Sequence, residues 1–471
     1  MGDADAATLG RRTLVAAIAV VVAIALGAAA LRSLRPRLEP IEIGQQTTYI
    51  ITPTRADGWV DYAEAVDWMR RASLDAGGAN AAASLVRALG PSLLLPSADR
   101  DLLLKRIGID AGSTVALLTP LRAYKAQLAS RHFAPPETSQ WFYARCRGGA
   151  DSFTRTSAWL GQLQAAFAEL RAASQAAILY VPVSRDPGAA RGFARVDVKR
   201  LGEAADAMAC WAAVKAIKGD LPASWSEAES LWKLGLILAR SASDAEYASA
   251  ATFWKAAAIA TVDLAASPQT KPEALVEMQA RIGAALAFPP ATETLMIHRL
   301  ALLDAVGTPR VVKPRDGVPL GRSGTTALLE AVNRHFDALE AALHAANPRE
   351  RMAGVARIDA TAPAIDGLGR SVGRDLLAVE LRALSYQRLA QAALALAARQ
   401  RSQGALPASL AELGEMAPDP ASGEAFHYAA AGRQFRLYGS GEDGRDDGGA
   451  PDKDIVIEGR EPPGLEPLEP R

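Results

Sequence analysis

Cysteine is scarce in this sequence: Cys146 and Cys210 are the two in 471 residues. Neither belongs to a CxxC pair or to a His/Cys cluster, so the sequence indicates no zinc or thiol-redox motif. Two interpretations of the pair stay open. They form one disulfide if the domain lies outside the cytoplasm, or they are two buried small hydrophobic residues.

The chain also lacks an excess of either charge, because 52 lysines and arginines balance 52 aspartates and glutamates. Without a basic surplus we expect no nucleic-acid partner. Aromatic residues make up only 6%, whereas hydrophobic residues make up 49% and alanine is abundant. Alanine favours helix and lets neighbouring helices approach closely, so this composition predicts a mainly helical fold.

Sequence signatures of several enzyme classes are missing as well. The chain has no GxGxxG opening a helix, no GxxxxGK[ST] and no HExxH, and its five histidines are scattered. These motifs are how nucleotide-binding and zinc-protease sites are recognised in a sequence. The sequence therefore identifies no catalytic residue.

One long apolar run is present near the start. Leu14–Leu31 contains eighteen residues without a charge, which as a helix would span about 27 Å, close to the hydrocarbon thickness of a bilayer. A signal peptide cleaved after Ala28–Ala30 is the alternative, but its apolar region is usually shorter. We predict a single-pass anchor within residues 1–37, in a bacterial inner membrane. The short N-terminus is cytoplasmic and the bulk of the chain faces the periplasm.

From Val60 to about Gly414 the apolar residues follow a helical period. Two stripes illustrate it: Trp159, Leu163, Phe167 and Leu170, and then Leu328, Val332, Phe336, Leu339 and Leu343. Such spacing places each set on one face of a helix. A Pro/Gly-rich linker, 307–324, divides the predicted helical region into 38–306 and 325–414.

Three local patterns refine this picture. Ser224 with Glu227, and Ser409 with Glu412, have the spacing of a helix-starting capping box. The β-branched run Thr47–Thr52 predicts a short strand.

Past Met416 the period changes from helical to alternating. Ala425–Ala429, Gln434–Tyr438 and Asp454–Glu458 predict three short strands, with a turn at Gly432. The predicted fold class is therefore mainly α, with a small C-terminal antiparallel β module at 415–459. The Pro/Glu-rich end, 460–471, is predicted to be disordered.

An acidic loop separates the second and third predicted strands. Its six carboxylates face only Arg445 and Lys453, and they are Glu442, Asp443, Asp446, Asp447, Asp452 and Asp454. A hard divalent cation takes six to eight oxygen ligands, and glycines allow a short loop to bring them together. An EF-hand is excluded, because Arg445 would occupy position 3 of its loop when counted from Asp443, where a ligand is required. The segments on both sides of the loop are also predicted to be strands, whereas an EF-hand has helices there. A flexible acidic hairpin without an ion is the alternative.

The C-terminal region resembles the C-terminal half of type II secretion major pseudopilins. The matching segments are GALPASLAEL (Gly404–Leu413), DPASGEAFHY (Asp419–Tyr428), FRLYGSGEDG (Phe435–Gly444) and DKDI (Asp452–Ile455). In that family the closing β loop binds calcium. The resemblance therefore implies a calcium site, with Asp443 at the family's Asp-Gly step and Asp452 and Asp454 at its Asp-x-Asp-Ile step.

The rest of the chain is similar to uncharacterised bacterial membrane-anchored proteins that carry this module, on the residues DGWVDYAEAVDW (Asp57–Trp68). Together these features predict an envelope protein with a helical scaffold and a calcium-stabilised module, in which Asp446 or Asp447 completes the site. It acts by contact with an envelope protein that the sequence does not identify. The alternative is an envelope enzyme acting on cell-wall glycans in a cleft of the helical region. Assembly into a secretion filament would require processing near Gly10, and no glutamate lies in the early apolar run.

Overall fold

The computed structural model describes residues 42–75, 77–94, 100–110, 116–118, 157–183, 196–241, 243–307, 322–362 and 371–459. Within these ranges the chain is mainly helical and ends in a three-stranded antiparallel sheet. The helices are α1 (Tyr62–Asp75), α2 (Ala82–Leu89), α3 (Arg100–Arg106), α4 (Gln164–Ser174), α5 (Val198–Ile217), α6 (Leu221–Ala239), α7 (Asp244–Ala266), α8 (Pro272–Ala285), α9 (Ala291–Gly307), α10 (Arg322–Leu343), α11 (Pro348–Ala360) and α12 (Val372–Gln403). The strands are β1 (His427–Ala431), β2 (Gln434–Gly439) and β3 (Ile455–Gly459), with 3₁₀ turns at Pro91–Leu93 and Leu410–Leu413.

The predicted membrane anchor Leu14–Leu31 lies outside the described residues, as do Cys146 and the tail 460–471. In the described part of the chain, no helix combines the length and the apolar content needed to cross a bilayer. Most of the predicted linker 307–324 is also outside, since α9 ends at Gly307 and α10 begins at Arg322.

The centre of the helical region is α7, which packs against α5, α6 and α12. A glycine permits the closest of these approaches. A Cβ atom on Gly235 of α6 would lie 2.2 Å from Cδ1 of Trp254, so only glycine fits beneath that ring. The Trp254 indole donates to the Trp232 carbonyl at 3.1 Å, and the Trp232 indole donates to Thr261 Oγ1 at 3.2 Å. These bonds satisfy the polar edges of both buried rings.

Both apolar stripes that the sequence predicts are at helix faces turned to the core. Trp159, Leu163, Phe167 and Leu170 are all buried. In α10, Val332, Phe336, Leu339 and Leu343 are buried and Leu328 packs at the edge of the core. The helices on either side of the predicted linker contribute to one hydrophobic core.

The predicted strand Thr47–Thr52 is wrong, because this segment forms turns. The threonine hydroxyls explain the difference: Thr47 Oγ1 donates to the Glu42 carbonyl at 2.6 Å and Thr48 Oγ1 to the Ile50 carbonyl at 2.8 Å. Such local bonds offer the backbone an alternative to a ladder. The turns lie against α10, where the Asn333 amide donates to the Gln46 and Thr47 carbonyls.

The sheet has the order β1-β2-β3, and both pairs are antiparallel. Gly432 has a φ of 61° in the tight turn between β1 and β2, as the sequence predicts for that position. Phe435 and Leu437 of β2 are buried on one face, together with Ile455 and Ile457 of β3. The sheet packs with β3 against α7 and α12, so the apolar face of the module completes the helical core.

Candidate functional site

The acidic loop leaves the sheet at Ser440 and returns at Asp454, and its two ends meet at a narrow neck. A Cβ atom on Gly441 would lie 1.9 Å from the carbonyl oxygen of Lys453 and 3.8 Å from Oδ1 of Asp443. Only glycine allows these backbones to come so close. The neck therefore places a carbonyl oxygen and a carboxylate oxygen around the same point.

Asp454 organises the far side of the loop. Its side chain is buried, and Oδ2 accepts the amides of Asp447 (3.1 Å), Gly449 (2.7 Å) and Ala450 (3.2 Å). Gly448 and Gly449 have φ values of 74° and 75°, in the left-handed region that turns those amides inward. Asp454 is thus the internal anchor of the loop.

Of the other four predicted ligands, two face partners from nearby residues. Asp447 pairs with Lys453 at 3.0 Å, and this hydrogen bond raises the pKa of the Lys453 ammonium. Asp446 lies 3.4 Å from His427, whose ring stacks on Tyr438 with centroids 4.6 Å apart. Both carboxylates are exposed to solvent and are held at the surface of the module.

Asp443 and Asp452 are the remaining predicted ligands, and both are exposed. Asp443 Oδ1 accepts the amide of Arg445 at 3.1 Å, while Asp452 precedes the Lys453 carbonyl at the neck. Across the described ranges, no group of three or more His, Cys, Asp or Glu side chains has an arrangement that would hold a metal ion. In this conformation the loop carboxylates are spread around the loop instead of gathered at one point.

The start of the loop is joined to the helical region by Asp419, a residue that the sequence analysis did not select. Its carboxylate is buried and accepts the Ser440 amide (3.0 Å), the Ala421 amide (3.2 Å) and the Ser422 hydroxyl (2.9 Å). The hydroxyl of Ser385 on α12 donates to it at 3.4 Å. Two of these partners, Ser385 and Ser440, are distant from Asp419 in the sequence, so no local pattern could identify them.

Two further contacts fix the loop on the helices. Glu442 forms an ion pair with Arg382 of α12. Gly444, at a φ of 68°, lies so close to Met352 of α11 that a Cβ atom would come within 2.7 Å of the methionine Cε. The loop therefore contacts both α11 and α12. A change in its conformation would alter how the module packs on these two helices.

Beside the loop a groove of about 1040 Å³ runs between the module and the helices. Asp206 of α5, Lys255 of α7, and Arg382 and Tyr386 of α12 line it, opposite the acidic loop and β3. A volume of this size is at the upper end for small-ligand pockets. The groove is the second feature that sequence reasoning missed, because its walls come from four separate parts of the chain.

Asp206 is the unusual side chain of this groove. Burial raises the pKa of its carboxyl to about 6, with a smaller upward effect from Glu203 and an opposing one from Lys255. No ion pair within 4 Å is present for Asp206 in the described part of the chain. A carboxyl with a pKa in this range changes charge between pH 5 and pH 7, so it can hold a proton near neutrality.

The segment GRSVG (369–373) matches the GxSxG pattern of serine hydrolases, and the sequence analysis did not select it. Ser371 directly precedes α12, and its hydroxyl donates to the carboxylate of Asp375 in the first turn of the helix, at 2.7 Å. A nucleophilic serine instead donates to a basic group, usually histidine. The motif therefore carries no argument for catalysis.

No protein-family model, curated protein sequence or solved structure is significantly similar to this chain.

Proposed function

We propose that this protein is a single-pass scaffold of a bacterial inner membrane, with its bulk in the periplasm, that acts by contact with another envelope protein. The observation that carries the proposal is the attachment of the C-terminal module to the helical region. Its acidic loop bonds to α12 through Glu442 and, through Asp419, to Ser385. A change in the loop would therefore alter the surface that the module and helices present together.

Calcium is the proposed ligand of the loop. The residues suited to hold it are Asp443 and Asp452, with the Lys453 carbonyl that lies beside Asp443 at the neck. Calcium binds oxygen donors of these kinds. Asp454 supports the site from within by fixing the backbone of 447–450, and Asp446 or Asp447 supplies a further carboxylate. Bound calcium would offset the repulsion among the loop carboxylates and hold the two ends of the loop together.

Calcium titration of the chain from Leu38 onward, by calorimetry and thermal melting, tests this. We expect saturable binding and a rise in melting temperature, both lost in the Asp443→Asn/Asp452→Asn double variant and in the Asp443→Ala/Asp454→Ala variant. The matched control is Glu277→Gln, since the Glu277 side chain is 71% exposed on α8 and distant in sequence from the loop. Calcium stabilisation equal in all four proteins, or absent from the wild type, contradicts the calcium site.

The second candidate is an envelope enzyme acting on cell-wall glycans, and the groove is the observation that favours it. Hydrolysis of a glycosidic bond requires a carboxyl that stays protonated near neutral pH, together with a second carboxylate. Burial raises the pKa of the Asp206 carboxyl to about 6, so a fraction of this group carries a proton near neutral pH. Asp443 and Asp452 line the same groove. The test is release of soluble sugars from purified cell-wall glycan. Equal release by the wild type and Asp206→Asn rejects this candidate, as does no release by either.

A further inference from the structure

The groove has the length of a short extended peptide. On the helical side its lining runs from Ala251 to Val262 of α7, which at 1.5 Å per residue is about 16 Å. On the other side, Ile455 to Glu458 of β3 and the loop complete the wall. An extended chain covers about 3.3 Å per residue, so about five residues fit along this length.

The charges that line the groove favour a cation. Its carboxylates outnumber its cationic side chains by seven to four. Pairing within the groove neutralises some of them, because Arg382 pairs with Glu442 and Lys453 with Asp447. Asp206 and Asp452 have no such pair within 4 Å in the described residues. A lysine or arginine entering the groove would therefore meet carboxylates that have no cation in contact with them.

The walls are also suited to a polypeptide. Thr252 and Lys255 of α7 are exposed along one side, with Ile259 half-buried one turn further on. Val456 of β3 and Tyr386 of α12 add apolar surface. A mixture of polar, charged and apolar positions along a groove accommodates a peptide backbone together with alternating side chains.

We propose that this groove binds an extended segment, about five residues long and bearing lysine or arginine, of a partner protein. The inference rests on the proposed role in protein contact and names the surface and the chemistry of the partner. It depends neither on calcium nor on the predicted membrane anchor within residues 1–37.

The probe is a fluorescein-labelled Lys-Val-Lys-Val-Lys peptide, titrated by anisotropy into the full-length chain in detergent with EDTA at physiological salt. We expect one saturable site, about tenfold weaker binding by Asp206→Asn, and unchanged binding by Glu277→Gln. Thr252→Trp, which fills the groove without changing its charge, should abolish binding. The charge-inverted Glu-Val-Glu-Val-Glu peptide should not bind.

Absent binding, or equal affinities of wild type, Asp206→Asn and Thr252→Trp, would overturn the proposal. Spermidine that displaces the peptide at the same concentration as unlabelled peptide would also overturn it, since the ligand would then be a small polyamine. Because EDTA is present throughout, these outcomes are separate from those of the calcium titration.

Discussion

Replacing Asp206 by asparagine should stabilise the folded protein at pH 7.5. The fold raises the pKa of this carboxyl from 3.8 to about 6, chiefly by burial. One pKa unit corresponds to about 1.4 kcal/mol, so holding the charged form in the fold costs up to about 3 kcal/mol. Because part of the side chain contacts solvent, we expect a gain of about 1–3 kcal/mol in the free energy of unfolding.

The pH dependence follows from the direction of the pKa change. The unfolded chain loses this proton near pH 4 and the folded chain near pH 6, so stability falls as the pH rises through that interval. Asparagine resembles the protonated acid at every pH. The advantage of Asp206→Asn should therefore shrink to about a third at pH 4.5.

Urea unfolding of both proteins at pH 4.5 and 7.5 measures this difference, and other titrating groups cancel between proteins compared at one pH. Glu277→Gln serves as the exposed control and should change stability little at either pH. A variant less stable than wild type at pH 7.5, or one with the same advantage at both values, would refute a desolvated carboxyl at this position.

Three other substitutions test the packing and the loop. Gly235→Ala should lower the free energy of unfolding in urea by about 1–3 kcal/mol, because the new methyl group overlaps the Trp254 ring. Gly202→Ala in α5, where the added Cβ meets nothing within 4 Å, should instead be neutral or stabilising. Equal effects of the two substitutions would contradict this packing. Asp419→Ala removes the buried acceptor of two amides and should lower the free energy of unfolding by about 1–3 kcal/mol. A change below about 0.5 kcal/mol, within the range of ordinary surface substitutions, would show that the fold does not depend on this carboxylate. Asp454→Ala in EDTA should speed proteolysis within 446–451, whereas Asp452→Ala should not; equal cleavage rates would argue against Asp454 as the internal anchor.

The sequence predicted the elements whose burial is periodic. The stripe Trp159, Leu163, Phe167 and Leu170 is buried, and β2 differs from its predicted bounds by one residue. These patterns work because a single face of each element meets the core. By contrast, the turns of Thr47–Thr52 depend on hydroxyl bonds that strand propensity does not represent.

The two predicted capping boxes have different outcomes, because contacts within one turn decide the first and contacts with other helices decide the second. Glu412 accepts the Ser409 amide at 3.3 Å, as predicted. The box at Ser224 is wrong, because α6 begins at Leu221 and Asp220 caps it by accepting the Ala223 amide. Glu227 instead pairs with Lys215 at 2.8 Å and with Arg171 at 2.5 Å, inside the protein. Those cations lie on α5 and α4, so no local window contains them.

The candidate site shows the same division. The sequence located the acidic loop between two strands, because its composition and the flanking alternation are both local. The partner contacts of Asp419 and the desolvation of Asp206 arise from residues far away in the chain. The cluster of carboxylates in the sequence thus predicted the charge of the site. The groove could not be predicted in the same way, because it is formed only when α5, α7 and α12 pack against the module.

The two proposals share Asp443 and Asp452, since both residues line the groove and are among the proposed ligands of calcium. If both hold, calcium removes part of the negative charge that attracts a cationic segment, and the two ligands must oppose each other. The linkage is reciprocal: the factor by which calcium weakens the Lys-Val-Lys-Val-Lys peptide must equal the factor by which the peptide weakens calcium. Equal affinities for the peptide with and without saturating calcium would mean that the ion and the segment do not use these carboxylates together. If the partner dissociates as the calcium concentration rises, the loop would sense calcium in addition to stabilising the module.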